Sequence, residues 1–171
     1  MKIIDGGVTA AKGFKAAGMH AGIKKGTKKD MAMIVSSAPC MAAGTFTTNL
    51  VKAAPVKWDQ HVVYEHGEAR AVVVNSGIAN ACTGAEGYGY CEETAKAAAE
   101  ALGIDKDEVL VASTGVIGKQ LPIDTIKKGV KDLSGLLLDT REAATLAAES
   151  IMTTDTVKKR LPLKLRLAVR R

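Results

Sequence analysis

Two stretches of the sequence combine small hydroxyl side chains with glycine directly after an apolar run, a pairing that can serve acyl or phosphate chemistry. In VLVASTGVIG (109–118), Ser113, Thr114 and Gly115 follow a buried-type strand, and Gly118 precedes the next helix. Backbone N–H groups and a hydroxyl at a strand's C-terminal end can hold a phosphate, or the oxyanion of a tetrahedral acyl intermediate. A glycine there lets a reacting carbonyl come close to its amide. In VVVNSGIANACTGAEGYG (72–89), a strand is expected to end at Asn75. Gly77, Gly84, Gly87 and Gly89 then allow tight or left-handed backbone. Asn75, Ser76, Asn80 and Thr83 could either brace that loop or bind a ligand, since short polar side chains favour turns in any case. Neither a Walker A lysine pattern nor GxGxxG occurs, which disfavours a nucleotide site.

The elements that must position these loops are legible as alternating patterns. Segments 30–37, 69–76 and 108–113 are β-branched, nearly continuous apolar runs, as expected of strands covered on both faces. Segment 91–103 has glutamates in its first turn and a glycine after its last, a helical asymmetry. Segment 122–133 spaces Ile123, Ile126 and Val130 on one helical face behind Pro122. In segment 139–152, Asp139 and Glu142 have capping-box spacing, and Ala143, Leu146, Ala147 and Ile151 form the expected buried stripe. Strands and helices alternate from residue 69 onward, which predicts a layered α/β arrangement.

Composition narrows the function. The chain has 171 residues, 47% apolar and 25% charged, enough for one globular domain with a sizeable core. No apolar run approaches the ~20 residues that span a bilayer, and the opening MKIIDGGVTA has no secretory apolar stretch. Cys40, Cys82 and Cys91 form no CxxC pair; they suit a reducing cytoplasm and read as small buried hydrophobes. His20, His61 and His66 lack metal-ligand spacing and read as surface residues, so no metal is expected. The net charge of +6 invites a nucleic-acid reading, but seven of the 24 basic residues lie in the terminal KKRLPLKLRLAVRR (158–171). Without them, 17 basic residues face 18 acidic ones, so residues 1–156 carry no basic surface excess and neither nucleic acid nor membrane is an expected partner.

Five motifs in order resemble the ornithine acetyltransferase family, the bifunctional glutamate N-acetyltransferases of arginine biosynthesis. They are GFKAAGMHAGIKKGTKKDMAMI (13–34), AAGTFTTNLVKAAPV (42–56), VVVNSGIANACTG (72–84), VASTGVIGKQLPID (111–124) and IMTTDT (151–156). Ile78 stands where the family pattern has a second asparagine. The resemblance implies an α-β-β-α layered sandwich of the Thr-nucleophile aminopeptidase-like kind, incomplete in this chain, whose sheets two chains share. It implies a precursor that cuts itself before a threonine in an Asn-Met-Ala-Thr-Met-Leu segment. That threonine, activated by its own α-amine, takes acetyl from N-acetylornithine and passes it to glutamate without metal or coenzyme. Acetyl-CoA is a further possible acetyl donor. The family's oxyanion-hole pair falls on Thr114 and Gly115, and a substrate-contacting threonine falls on Thr153. An α2β2 assembly with a β chain carrying the nucleophile is implied as well. An amidohydrolase of similar fold is the nearest relative reading.

The Asn-Met-Ala-Thr-Met-Leu segment does not occur in the sequence, so turnover by this chain alone is not expected. The expected division is an acetyltransferase portion, 1–156, and a basic tail, 157–171. Residues 159–171 have synonymous codons that, shifted by one frame, spell EVAVEVEIGGKT, an alternating strand ending in a turn. A frameshift near codon 158 is therefore the expectation for the tail. The competing reading is a non-enzymatic binder using that tail on nucleic acid or an anionic surface, with binding that weakens steeply in salt.

Overall fold

The computed structural model describes residues 2–3, 6–158 and 163–164, so most of the tail lies outside the described residues. Four strands form the main sheet: β2 (Phe14–Met19), β3 (Met31–Met41), β4 (Glu68–Ile78) and β5 (Val109–Val116), in the order β2-β3-β4-β5. A two-residue strand, β1 (Lys2–Ile3), pairs antiparallel with β6 (Leu163–Lys164). β2/β3 and β3/β4 are antiparallel, whereas β4/β5 is parallel and therefore requires a crossover. Helix α2 (Glu86–Leu102) lies within that crossover. The remaining helices are α1 (Ala54–His61), α3 (Ile123–Ser134) and α4 (Arg141–Ser150). The protein is thus of the α/β class, as its sequence implies.

Strand alternation divides the sheet into two faces. Ala17, Met31, Met33, Ala71, Val73, Val109 and Val111 point to one side and join Trp58, Cys91, Ala95, Ala98, Ile126, Val130 and Leu133 of α1–α3 in the main core. Gly129 lets α3 approach the sheet: a Cβ there would sit 2.5 Å from Met31 Sδ. The opposite face carries Ala16, Gly18, Ala32, Ile34, Val72, Val74, Leu110 and Ala112. Among the described residues α4 packs on it, over the small residues Ala16, Gly18 and Ala32, with the 3-10 turn Val8–Ala10 beside it. Toward β5 this face is open: Val72, Val74 and Leu110 are half-buried and Ala112 is exposed.

Several expectations shift. β4 and β5 continue through Ile78 and Val116, so Thr114 and Gly115 are strand residues. Helix α2 starts at Glu86, with Gly87 and Gly89 inside it. Gly87 is required there by packing, because a Cβ would meet Thr83 Oγ1 at 2.3 Å. The cap of α4 is Thr140, whose hydroxyl accepts from Ala143 N at 3.2 Å, in place of Asp139. Leu146 and Ile151 are 37% and 46% exposed, because the buried stripe of α4 is alanine: Ala143, Ala144 and Ala147. Of the cysteines Cys91 is buried, Cys40 half-buried and Cys82 exposed.

Candidate functional site

Asn75 fixes the C-terminal ends of the parallel pair β4/β5. This buried side chain donates to Ile78 O at 2.8 Å and accepts from Ser113 Oγ at 2.5 Å, binding one strand end to the other. The Ser113 hydroxyl is therefore committed to structure. Asn80, Thr83 and Cys91 form a second internal set. Asn80 Nδ2 donates to Gly87 O at 2.8 Å, and Thr83 Oγ1 donates to Asn80 Oδ1 at 2.7 Å. Burial pushes the Cys91 thiol up to about 12, the nearby Asp59 charge adding to the shift and the Asn80 bond opposing it, so Cys91 stays an unreactive thiol. The polar residues of 72–89 thus brace the loop.

In the same register Ser76 pairs with Thr114 and Gly77 with Gly115. Gly115 has φ +132°, and a Cβ there would lie 2.3 Å from the Gly77 carbonyl carbon. No other residue fits at that point. Thr114 is half-buried, and its hydroxyl takes no hydrogen-bond partner among the described residues. It projects from the sheet face that carries α4.

Residues 20–30 build the next wall. Asp30, fully buried, accepts from four successive amides: Ala21 N (2.6 Å), Gly22 N (3.2 Å), Ile23 N (2.8 Å) and Lys24 N (2.9 Å). A buried carboxylate is tolerated when its oxygens are satisfied in this way. The curl it organises lays the Lys24 stem against Gly77, where a Cβ would come within 2.9 Å of Lys24 Cγ. Lys24 Nζ donates to Lys29 O at 2.9 Å and to Met152 O at 2.6 Å, tying this loop to the end of α4. Burial holds its ammonium below the usual lysine range, the Asp30 charge opposing and the Lys28 charge assisting. Ser76 Oγ donates to Ser150 O, a second tie to α4.

These ties bring Thr153 beside the strand ends. Gly77, Gly115, Val116, Lys24, Lys28, Thr153 and Thr154 line one open hollow of about 450 Å³. Gly115 and Thr153, named from motifs nearly forty residues apart, meet there, and Thr114 directly precedes Gly115. The sequence reading did not single out Lys24, Lys28 or Asp30. A lone aspartate after a lysine run gives no sign that four amides will converge on it. Chemically, the hollow offers a strand-end amide without a covering side chain, hydroxyls, and two lysines.

The ArgJ family model matches residues 15–170. The chain is similar to the arginine biosynthesis bifunctional protein ArgJ of Gloeobacter violaceus, 53% identical over 91% of this chain and 38% of that protein. The ArgJ protein of Symbiobacterium thermophilum is 50% identical over 98% of this chain and 41% of that protein. Among solved structures, ornithine acetyltransferase of Mycobacterium tuberculosis, complexed with ornithine, is 44% identical with a TM-score of 0.87, covering 91% of this chain and 84% of that one. ArgJ of Bacillus halodurans is 42% identical with a TM-score of 0.85, covering 91% and 82%. The chain spans about two fifths of the length of these curated relatives.

Proposed function

The chain belongs to the ArgJ family, and from that premise we propose that it supplies the oxyanion-binding half of an acetyltransferase of arginine biosynthesis. Acetyl moves from N-acetylornithine, which leaves as ornithine, to the hydroxyl of a threonine carried by a second chain and from there to glutamate. The same free threonine would also accept acetyl from acetyl-CoA, with CoA leaving. The observation that carries the reading is the hollow in which Gly115 and Thr153 meet, with Thr114 directly before Gly115 in β5 though not among the residues that line it. When the nucleophile attacks an acetyl carbonyl, charge grows on the carbonyl oxygen. The Thr114 hydroxyl and the Gly115 amide are the donors offered to it, and charge-directed donors held in place count most in a water-poor site. Gly115 leaves room for the acetyl group because its position admits no side chain. Thr153 contacts the amino-acid portion of the substrate, and Lys24 and Lys28 bring positive charge toward its carboxylate. The general base is the threonine's own α-amine, so the proposal needs neither metal nor coenzyme.

A division of the family's precursor into two chains is supported by coverage. This chain covers more than four fifths of each solved chain but about two fifths of each curated relative. An α2β2 assembly in the cytoplasm completes the proposal.

The test is reconstitution. This chain, assembled with the separately produced second chain of a family member, should transfer labelled acetyl from N-acetylornithine to glutamate. Assembly that yields transfer indifferent to Gly115→Val would remove the oxyanion role. The nucleotide sequence across codon 158 decides the origin of residues 157–171. A single insertion or deletion that opens the strand-coding frame supports the out-of-frame reading, and a frame running on uninterrupted in register with the relatives removes it.

A further inference from the structure

We propose that His61, His66 and Asp107 form a binding site for one divalent transition-metal ion of the zinc class, at the opposite end of β5 from Thr114 and Gly115. The site depends on an irregular turn. Helix α1 ends at His61 and continues as a π-helical turn over Val62–His66, closed by Gly67 N–H to Val62 O at 3.1 Å, with Gly67 at φ +73°. In an α-helix, residues five apart lie roughly 140° apart around the axis. The wider turn places His66 over His61, with ring centroids 5.2 Å apart and planes at 78°. Single π turns recur where function requires an unusual side-chain placement.

The third group comes from the turn before β5. The short 3-10 turn Lys106–Glu108 is pinned by reciprocal bonds, Asp107 N to Asp105 Oδ1 at 2.9 Å and Asp105 N to Glu108 Oε2 at 3.0 Å. It presents Asp107 between the rings, with Oδ1 3.8 Å from His61 Nε2 and Oδ2 3.7 Å from His66 Nε2. One ligand atom from each of the three residues lies within 4.8 Å of the others. Around a tetrahedral ion with bonds of about 2.0–2.1 Å, ligand atoms sit roughly 3.3–3.5 Å apart. The three groups therefore need to converge by up to about 1.5 Å, a distance within the reach of side-chain rotation.

Two imidazoles and one carboxylate select zinc, cobalt, nickel or copper over magnesium or calcium. Partial exposure of all three side chains leaves the remaining coordination position to water. The opposing group is Lys106, whose ammonium lies 2.9 Å from Asp107 Oδ1 and 5.4 Å over the Trp58 ring. An ion at the site displaces it toward that ring and toward Glu92 and Asp105, which already act on its charge. The consequence is mechanical: the ion would bolt the end of α1 to the turn that starts β5.

The test is titration of the purified 171-residue chain with Zn2+ by calorimetry and with Co2+ by visible absorption, alongside thermal unfolding with and without Zn2+. One ion should bind per chain with micromolar or tighter affinity, and Zn2+ should raise the unfolding temperature. His66→Gln and Asp107→Asn should each weaken binding by at least about tenfold and abolish the thermal gain. His20→Gln should leave both unchanged. His66→Gln is the lead variant because His61 also packs on Trp58, at 6.1 Å between centroids. Absence of saturable binding, or binding undiminished in both His66→Gln and Asp107→Asn, overturns the proposal and leaves the three side chains as an ion-pair cluster.

Discussion

At residue scale the proposed chemistry rests on Thr114 and Gly115, which differ in what they can lose. Thr114 contributes a hydroxyl with no partner among the described residues, so Thr114→Ala removes a donor and disturbs no contact that holds the fold. In the assembled enzyme it should lower kcat by about 10²–10³, with KM for N-acetylornithine changing much less, since the interaction strengthens only as charge develops. Steady-state kinetics on the reconstituted enzyme checks this, and an equal fall in kcat for Thr114→Ser would show that bulk, and not the hydroxyl, matters. Gly115 tolerates no such trimming of the question, because any Cβ collides with Gly77 before substrate arrives. The roles proposed for both residues, and for Thr153, come from the resemblance carried by the ASTG and MTTDT motifs, and the structure adds that Gly115 and Thr153 line one hollow. What stayed hidden was the support: Asp30 gathering four amides, and Lys24 reaching Met152 O. Those bonds link positions far apart in the chain, and single residue types carry no trace of them.

At element scale the edge of β5 and the seat of α4 are each held by specific side chains. Trp58 Nε1 donates to Val109 O at 2.8 Å, and Asp59 Oδ1 accepts from Val111 N at 3.0 Å, so α1 satisfies groups of a strand edge that would otherwise template aggregation. Burial pushes the Asp59 carboxyl up to about 6, the Val111 N–H opposing. The folded state therefore binds this proton more tightly than the unfolded chain, whose aspartate titrates near ~3.9. Stability from this group is present below about pH 4 and is lost as pH rises to about 6, then stays level. Asp59→Asn keeps an acceptor for Val111 and cannot ionise. Its stability relative to wild type should improve by about 1 kcal/mol between pH 5 and pH 8, measured by denaturant unfolding at each pH. A difference that does not vary with pH would sink the assignment. On the other face, a Cβ on Gly18 would lie 2.3 Å from Leu146 O, backbone that cannot yield without lifting α4. Gly18→Ala should cost about 2–3 kcal/mol in the same unfolding measurement, and a change below about 0.5 kcal/mol would show that α4 is loosely seated. The strands at 31, 68 and 109 and the helices α2 and α3 follow the periodicity of their sequences, and α4 does so only in its alanines, with Leu146 and Ile151 left exposed. β2 (FKAAGM) and α1 do not, because both are short, and the Ala-Ala-Gly centre of β2 signals packing space, not strand propensity.

At the scale of the whole molecule, the sheet has one finished face and one unfinished. The helix layer of α1–α3 closes over Val73, Val111 and Met33, while beyond α4 the opposite face leaves Val72, Val74, Leu110 and Ala112 partly or fully open. Met41, Leu50, Val51, Val116 and Ile117 add exposure of 83%, 98%, 85%, 62% and 64% among the described residues. On the proposed function, a second β layer laid on that face would bury it and carry a nucleophile to the hollow beside Gly115, so that core and active site would be completed in one event. The chain by itself should then bind a hydrophobic dye and self-associate as its concentration rises, with no acetyl transfer from N-acetylornithine to glutamate. Addition of the second chain should suppress dye binding, raise the unfolding temperature and switch on transfer over the same range of second-chain concentration, because association stabilises whatever it completes. Light scattering, dye fluorescence and labelled-acetyl transfer followed along one titration make the coincidence measurable. If turnover appeared in the chain alone, or activity rose while the apolar face stayed dye-accessible, the nucleophile would not arrive on the layer that covers this sheet.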